Sequence, residues 1–549
     1  MASGPCRRRA CPARRIGCRR IGAAVNDTLS WFAVSAALAI GVALFTRQRG
    51  WGMALPVLAA GAITGLLPFA PSAPLNPELA LIAVLAPLVF GEALGSSYLD
   101  IRRVRRPVLI LAIGLVIATT AAIGLTVAAI SAIPLALALA LGAILAPTDA
   151  VAVSAVARRA SLPRRLVSVL EGESLVNDGT GLTVLRVALV AAVAGSVTAL
   201  EVSATFVLAV AGGIVVGLIG GWGMSWVTSR SRDAVAANSL TLIAPFVLYL
   251  AAEWIEGSGI LAVVAAALYL AHAQTSDAGS AARLQSATLW RHLTFALQAM
   301  AFFLVGMELV ATLLQLDRGQ FELVGLLVVV VTVVLVLTRV VFIYVTIRIE
   351  GLRRGERQNM RLAMLAAWAG ARGPVSGMAA FSIPLVLVDG SALPYREELL
   401  ATTFVIILVT LLLSQTLAPL ARRLGVQAPD DTEQLRRIDA TLARAALRRL
   451  DAVEEEAAMR GRPIPPEVAG VLRDSVEQRL RALQVEPQAD APDALALQAE
   501  LRRLLIRAEQ EEILRIRDEE GLPDSMVRPI QRALDVRLLG LGKIAEGGH

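Results

Sequence analysis

Thirteen stretches of this chain are apolar over a length that spans a bilayer: residues 29–46, 51–70, 78–97, 107–130, 133–157, 165–192, 203–227, 237–255, 257–273, 292–313, 321–347, 360–386 and 398–420. Each is predicted to be helical, because hydrocarbon offers backbone N–H and C=O groups no water and a helix satisfies them internally. After Arg423 the pattern changes. Stretches such as "TEQLRRIDATLARAALRRLDAVEEEAAMR" carry apolar residues at spacings of three and four, with charge on the other faces. They predict a soluble helical tail, broken at Gly461–Pro466 and at Pro487–Pro492. The expected organisation is an N-terminal tail over residues 1–28, a membrane domain over 29–423 and a helical tail over 424–549. The fold class is an all-α polytopic membrane protein.

The polar positions test this division. Loops that follow odd-numbered stretches hold 19 arginines, whereas the alternate loops hold only Arg318 and Arg396. A bias of that size sets topology. It places the arginine-rich loops and the C-terminus in the cytoplasm, and the start of the first stretch outside, as expected for a multi-pass protein of the plasma (inner) membrane. Residues 1–20 conflict with this, since they carry seven arginines and fall on the outer side. A signal peptide is one reading, but no small-residue cleavage site follows at the right distance. The preferred reading is a working protein that starts near Val25.

Composition agrees with the pattern. The 549 residues are 56% hydrophobic and 18% charged, with a mean hydropathy of +0.65, where a soluble domain carries more charge. The net charge of +7 would suit nucleic acid, but the arginines sit in short loops where topology needs them, so no nucleic-acid partner is expected. Cys6, Cys11 and Cys18 all lie in the N-terminal tail, at a spacing that fits neither a disulfide framework nor a zinc site.

Charges inside spanning segments are costly and therefore mark functional candidates. The densest set is "EGESLVNDGTGLTVLRV" in the sixth stretch. On a helix Ser174, Asn177 and Asp178 share one face, with Glu173 at its edge. A hydroxyl, an amide and a carboxylate are hard oxygen ligands, suited to a small hard cation. In the fifth stretch, "ILAPTDAVAVSA", Pro147 removes a helical hydrogen bond ahead of Thr148 and Asp149. A broken helix is predicted, with carbonyls near Thr148 free to ligate a cation and Asp149 facing a half-helix N-terminus. The plainer reading is a kinked helix whose aspartate is a cap. In the twelfth stretch, "AWAGARGPVSGMAAFSIP", Gly370, Arg372, Gly373 and Pro374 interrupt a second helix. It comes seven stretches later, so the two breaks cross the membrane in opposite directions, the best sequence pointer to a secondary transporter's site. Asp149 and Arg372 are expected to compensate half-helix dipoles of opposite sign. Glu92 in the third stretch and Arg339 in the eleventh complete the set. A buried arginine needs a partner, and Glu173 is the expected one, since Asp178 has to stay free; a snorkelling Arg339 is the alternative.

"EGESLVNDGT", "APTDAVAV" and "AGARGPVS", in this order and spacing within residues 29–423, resemble the motifs of the family-1 monovalent cation:proton antiporters, the NhaP and NHE type. The resemblance implies an NhaA-like fold of 13 helices in inverted repeats, with two broken, crossing helices. It also implies a homodimer with a dimerisation domain and a moving core, and exchange of Na⁺ or Li⁺, sometimes K⁺, for H⁺. By the same resemblance the ion is bound by Asp178, Ser174, Glu92 and the backbone oxygen of Thr148, with Asn177 in support and Glu173–Arg339 as a structural pair. The chain departs from the family at Ala150, where relatives often have proline, and at Glu92, which follows Gly91. The tail shows no Gly-rich dinucleotide fingerprint.

The expected activity is electroneutral 1:1 exchange by alternating access, with proton and cation competing for Asp178. No catalytic residue and no cofactor are expected; Na⁺ and H⁺ are cargo. Alternatives are K⁺/H⁺ exchange, proton-coupled solute uptake, an intramembrane enzyme and a channel. The sixth stretch offers only small hard-ion ligands, and the fifth and twelfth show no aromatic platform for an organic solute. The two membrane histidines, His272 and His292, sit at segment ends, against proteolysis. A carboxylate beside an Arg–Glu pair suits stoichiometric exchange better than a pore.

Overall fold

The computed structural model describes residues 31, 33–67, 81–149, 162–194, 199–230, 233–277, 280–349, 356–387, 391–426, 432–484 and 504–512, and positions 515, 519, 530, 534 and 536. The expected start near Val25, the second half of the fifth stretch including Ala150, and the Pro487–Pro492 break lie outside the described residues. The chain divides into two compact units, Met1–Ala428 and Pro429–His549.

In the first unit a helix falls on each apolar stretch. They are α1 (Ala33–Gln48), α2 (Ala54–Gly65), α3 (Ala86–Gly95), α4 (Arg105–Ile130), α5 (Leu135–Leu145), α6 (Arg164–Ala194) and α7 (Ala199–Arg230). Next come α8 (Ala234–Trp254), α9 (Gly259–Asp277), α10 (Ser280–Gln315), α11 (Arg318–Ile349), α12 (Glu356–Trp368), α13 (Pro374–Ala380), α14 (Arg396–Ser414) and α15 (Leu417–Leu424). Among the described residues, seven spans, on α4, α6, α7, α8, α10, α11 and α14–α15, are long and apolar enough to cross a membrane, and α1, α2, α3, α5 and α9 are shorter apolar helices. Large apolar side chains such as Trp222 and Ile219 on α7, Ile243 on α8 and Val329 on α11 are exposed. In water such a surface would be a liability, whereas hydrocarbon is its natural solvent.

Local chemistry sets the helix ends. Asp317 and Gln320 cap α11 reciprocally: the Gln320 N–H donates to Asp317 Oδ1 at 2.8 Å, and the Asp317 N–H donates to Gln320 Oε1 at 3.0 Å. At the start of α8 the Val235 N–H donates to Asp233 Oδ1 at 2.9 Å. Gly425, at φ +64°, ends α15 in the left-handed turn.

Two packed cores form inside this unit. One gathers apolar residues of α1, α2, α4–α6, α10–α12 and α14. The other gathers Leu85 and, from α3, Val89 and Phe90, with Met224 of α7, Leu248 of α8, Val263 and Leu270 of α9, and Trp290 of α10. Leu175 of α6 and Val375 of α13 pack into the second core, so α6 lies along the seam between them. One ion pair also bridges this seam: Arg186 of α6 donates to Glu253 of α8 at 2.9 Å.

In the second unit, α16 (Thr432–Met459) and α17 (Pro466–Gln484) form a hairpin around Gly461, at φ +70°. Arg473 of α17 holds Asp451 at 2.6 Å and Glu454 at 2.8 Å on α16. Both pairs lie at the surface, where ion pairs contribute little to stability.

Within the first core α2 and α10 approach to backbone contact. A Cβ on Gly306 would meet the Leu58 carbonyl oxygen at 2.0 Å, and one on Gly61 would meet that of Phe303 at 2.0 Å. Small residues allow such approach between membrane helices. Gly306→Val is expected to cost about 3 kcal/mol, the upper end for overpacking against an unyielding backbone. Reversible unfolding in mixed micelles measures this, and a loss within error would mean the two helices part freely.

Candidate functional site

The two interruptions meet. α5 stops at Leu145 and the chain runs non-helically over Pro147–Asp149; α12 stops at Trp368 and α13 resumes at Pro374. Proline explains both edges: Pro147 has no N–H to continue α5, and Pro374 takes the first helical position, where none is needed. The Asp149 N–H donates to the Ala371 carbonyl at 2.9 Å, so each break satisfies part of the other's backbone.

Charge is exchanged between the breaks as well. Arg372, 1% exposed, donates through Nε to the Leu145 carbonyl at 2.6 Å. Its positive charge thereby sits on the negative end of α5. The guanidinium also bonds the Gly370 carbonyl, and the Arg372 N–H donates to Thr410 Oγ1 of α14 at 3.1 Å. Asp149 packs against Gly373, the residue that precedes α13. A Cβ there would meet the Asp149 carboxyl at 2.4 Å, so glycine is required by space.

α6 passes beside the crossing and presents Glu173, Ser174, Asn177 and Asp178, each no more than 3% exposed. Three of them converge on Thr148. Ser174 Oγ donates to the Thr148 carbonyl at 2.7 Å, Asn177 Nδ2 donates to Thr148 Oγ1 at 3.0 Å, and Thr148 Oγ1 donates to Glu173 Oε1 at 3.3 Å. The buried Asn177 Oδ1 has no hydrogen-bond partner among the described residues. Arg339 of α11 grips Glu173 with both arms, Nη1 to Oε1 at 2.6 Å and Nη2 to Oε2 at 3.0 Å, while its Nε donates to the Ala366 carbonyl at 3.1 Å. A planar, bidentate pair of this kind satisfies both partners.

Asp178 carries the remaining carboxylate of α6. It lies within electrostatic reach of Glu92 and Asp149. Glu92 comes from α3 and accepts a hydrogen bond from Gln298 Nε2 of α10 at 2.9 Å. The sequence pointed to neither Gln298 nor Thr410, because both are neutral and, unlike Ser174, Asn177 and Thr148, neither lies beside a charged motif. The signal for Gln298 was an amide inside the apolar run "FALQAMAFFL". Arg186, left without a role by the sequence, is the partner of Glu253. Glu308 lies in electrostatic range of Arg396 and Glu397.

The Glu173–Arg339 contact makes a measurable prediction. Breaking a buried pair from one side strands a charge and costs about 3–5 kcal/mol. Glu173→Gln and Arg339→Gln are each expected to lower thermal stability strongly, and the double variant to recover part of the loss. Additive losses in the cycle would show that the two residues do not act as partners.

Comparison with known proteins places this geometry. Residues 33–423 match the family model described as sodium/hydrogen exchanger, transmembrane. A sodium, potassium, lithium and rubidium/H⁺ antiporter of Bacillus pumilus is 36% identical over 366 residues, which cover 63% of this chain and 54% of that protein. The chain therefore spans about half the length of that relative. The Na⁺/H⁺ antiporter ApNhaP of Aphanothece halophytica is 30% identical, covering 77% of this chain and 79% of its own. An uncharacterized Na⁺/H⁺ exchanger of Mycobacterium tuberculosis is 29% identical over 517 residues, covering 92% of this chain and 94% of its own. Among solved structures, the sodium proton antiporter MjNhaP1 of Methanocaldococcus jannaschii superposes with a TM-score of 0.59 at 19% identity, over 72% of this chain and 98% of its own. The fold is thus shared with that antiporter, and the match over residues 33–423 makes this chain a multi-pass member of the transmembrane sodium/hydrogen exchanger family.

Proposed function

We propose that this protein exchanges Na⁺ for H⁺ one for one across the plasma membrane by alternating access, with both competing for Asp178. One observation carries the reading. Both buried arginines have other partners, Arg339 on Glu173 and Arg372 on the end of α5. Among the described residues no arginine is paired with Asp178 or Glu92: Glu92 accepts from the neutral Gln298 amide, and the charged groups near Asp178 are Glu92 and Asp149. A buried carboxylate in that position is neutralised by a proton or by a mobile cation. Ser174, the Thr148 carbonyl and Glu92 complete a hard-oxygen set for the ion, and Asn177, whose Oδ1 is unpartnered, supports it. Glu173 and Arg339 are structural, and Asp149 and Arg372 compensate the half-helices at the crossing. Thirteen crossings in inverted repeats and a cytoplasmic C-terminus complete the reading, resting on the apolar pattern, the arginine bias and the shared fold; the homodimer rests on the resemblance of the motifs alone. K⁺ as cargo is the second reading, favoured by the range of cations in the name of the Bacillus pumilus relative.

Reconstituted protein is expected to dissipate a proton gradient on addition of Na⁺, followed by dequenching of a pH-sensitive dye in proteoliposomes. Asp178→Asn removes the group that alternates between proton and cation. It is expected to abolish this signal while the protein remains folded; transport by that variant at wild-type rate would overturn the assignment.

Competition also fixes a pH dependence. In the acid range, where the carboxylate is mostly protonated, each cation displaces one proton. The apparent cation constant is then expected to rise about tenfold per pH unit, with the maximum rate at saturating cation little changed. Exchange measured against cation concentration at several symmetrical pH values tests this. A constant that stays flat while the maximum rate collapses would point to a separate pH sensor.

A further inference from the structure

Two glutamates reach the crossing, and their partners differ in kind. Glu173 is matched by the full charge of Arg339 across two hydrogen bonds. Glu92 is met by Gln298, which is neutral. A carboxylate only accepts hydrogen bonds, so the amide turns its NH₂ toward Oε1. Such a bond orients Glu92 without cancelling its charge, and it leaves Oε2 to another partner.

The packing around this bond is built to hold it. Trp290, Thr294 and Gln298 recur every fourth residue and so lie on one face of α10. The Trp290 ring packs against Phe90 of α3, tilted by 45° with centroids 4.9 Å apart. Between them, a Cβ on Gly91 would meet Thr294 Oγ1 at 2.2 Å and the Trp290 ring at 2.9 Å. The glycine that precedes Glu92 thus lets α3 and α10 close to a distance at which Gln298, 5% exposed, reaches the carboxylate. The bond is half-buried, with Gln298 itself buried, so the amide donor is held in place where free water would replace it poorly.

We infer that Gln298 is a positioning residue that fixes the Glu92 carboxylate for the transported cation and thereby sets cation affinity. The inference rests on the reading of Glu92 as a ligand. Gln298 acts through Glu92 and touches no ion itself. Its neutrality is the point: a lysine or arginine in its place would occupy Glu92 as Arg339 occupies Glu173.

The test uses full-length protein in proteoliposomes, with Na⁺-dependent exchange measured at a fixed, symmetrical pH. Gln298→Met keeps the side chain's length and most of its volume but removes the donor. The apparent Na⁺ constant is expected to rise about tenfold, the weight of one hydrogen bond to a charged group, with the maximum rate within about twofold of wild type. Glu92→Gln is expected to raise the constant as well. The double variant Glu92→Gln with Gln298→Met is expected to be no worse than Glu92→Gln alone, because Gln298 has then lost the group it positions. Gln298→Lys is expected to behave like Glu92→Gln. If Gln298→Met does not fold, Gln298→Ala reads the same constant. A wild-type constant in the Gln298 variant, beside a raised one in Glu92→Gln, overturns the inference and leaves Glu92 as ligand. A wild-type constant in Glu92→Gln overturns the reading beneath it.

Discussion

A buried charge must be matched, and at the centre of this bundle the matching decides what every residue does. Glu173, Asp178, Asp149, Arg339 and Arg372 are all at most 8% exposed. Stranding any one of them in a low dielectric would cost more than most single interactions supply. The arrangement resolves this in stages. Arg339 closes on Glu173, Arg372 closes on the carbonyl end of α5, and Asp149 packs against the start of α13. What remains is Asp178 with Glu92 nearby. A site that binds and releases a cation needs such a residue of negative charge, for a fixed positive partner would hold the site permanently neutral.

The crossing of the two interrupted helices makes that resolution possible. Each break exposes backbone groups that an unbroken helix would consume, and each supplies what the other lacks. Asp149 donates its N–H to Ala371, while the Arg372 side chain returns to Leu145. The Thr148 carbonyl, released by the break, accepts from Ser174 and keeps a second lone pair. Had either helix run on, Thr148 would have no carbonyl to offer, and neither Asp149 nor Arg372 would have a backbone end to face.

How much of this was legible in the sequence depends on charge. In apolar stretches a charged residue stands out, and its expense implies a purpose, so Glu173, Asp178, Asp149, Arg339 and Arg372 were all visible. The expected partnership of Glu173 with Arg339 followed from counting charges that needed company, and the two side chains lie 2.6 Å apart. Neutral polar residues carry no such flag. Gln298 and Thr410 look like ordinary tolerated amides and hydroxyls until a structure shows what they touch. Gly91 was a similar case: in the sequence it stood only as the residue before Glu92, a departure from the family, whereas its lack of a Cβ admits Trp290 and Thr294. Backbone pairing between the breaks was hidden as well, since nothing in the sequence says that the Asp149 N–H bonds the Ala371 carbonyl or that Arg372 reaches Leu145. The arginine bias that orders the loops carries no information about which helices touch.

On the proposed reading, the ligand set is divided between two packing units. Asp178, Ser174 and Thr148 belong to α6 and the crossing, whereas Glu92 stands on α3, whose flanking residues are packed into the other core. Relative motion of the two cores therefore changes the distance from Glu92 to Asp178 without disturbing Glu173–Arg339 or the Asp149–Ala371 bond, which lie outside the second core. That separation matters energetically. On this reading the contacts that hold the buried charges would stay constant through the cycle, and the set that grips the cation would be remade in each state. Gln298 belongs with the second kind. It stands where α10 meets α3, so a bond from its amide keeps Glu92 aimed as the seam moves, at no charge cost to the ion it serves.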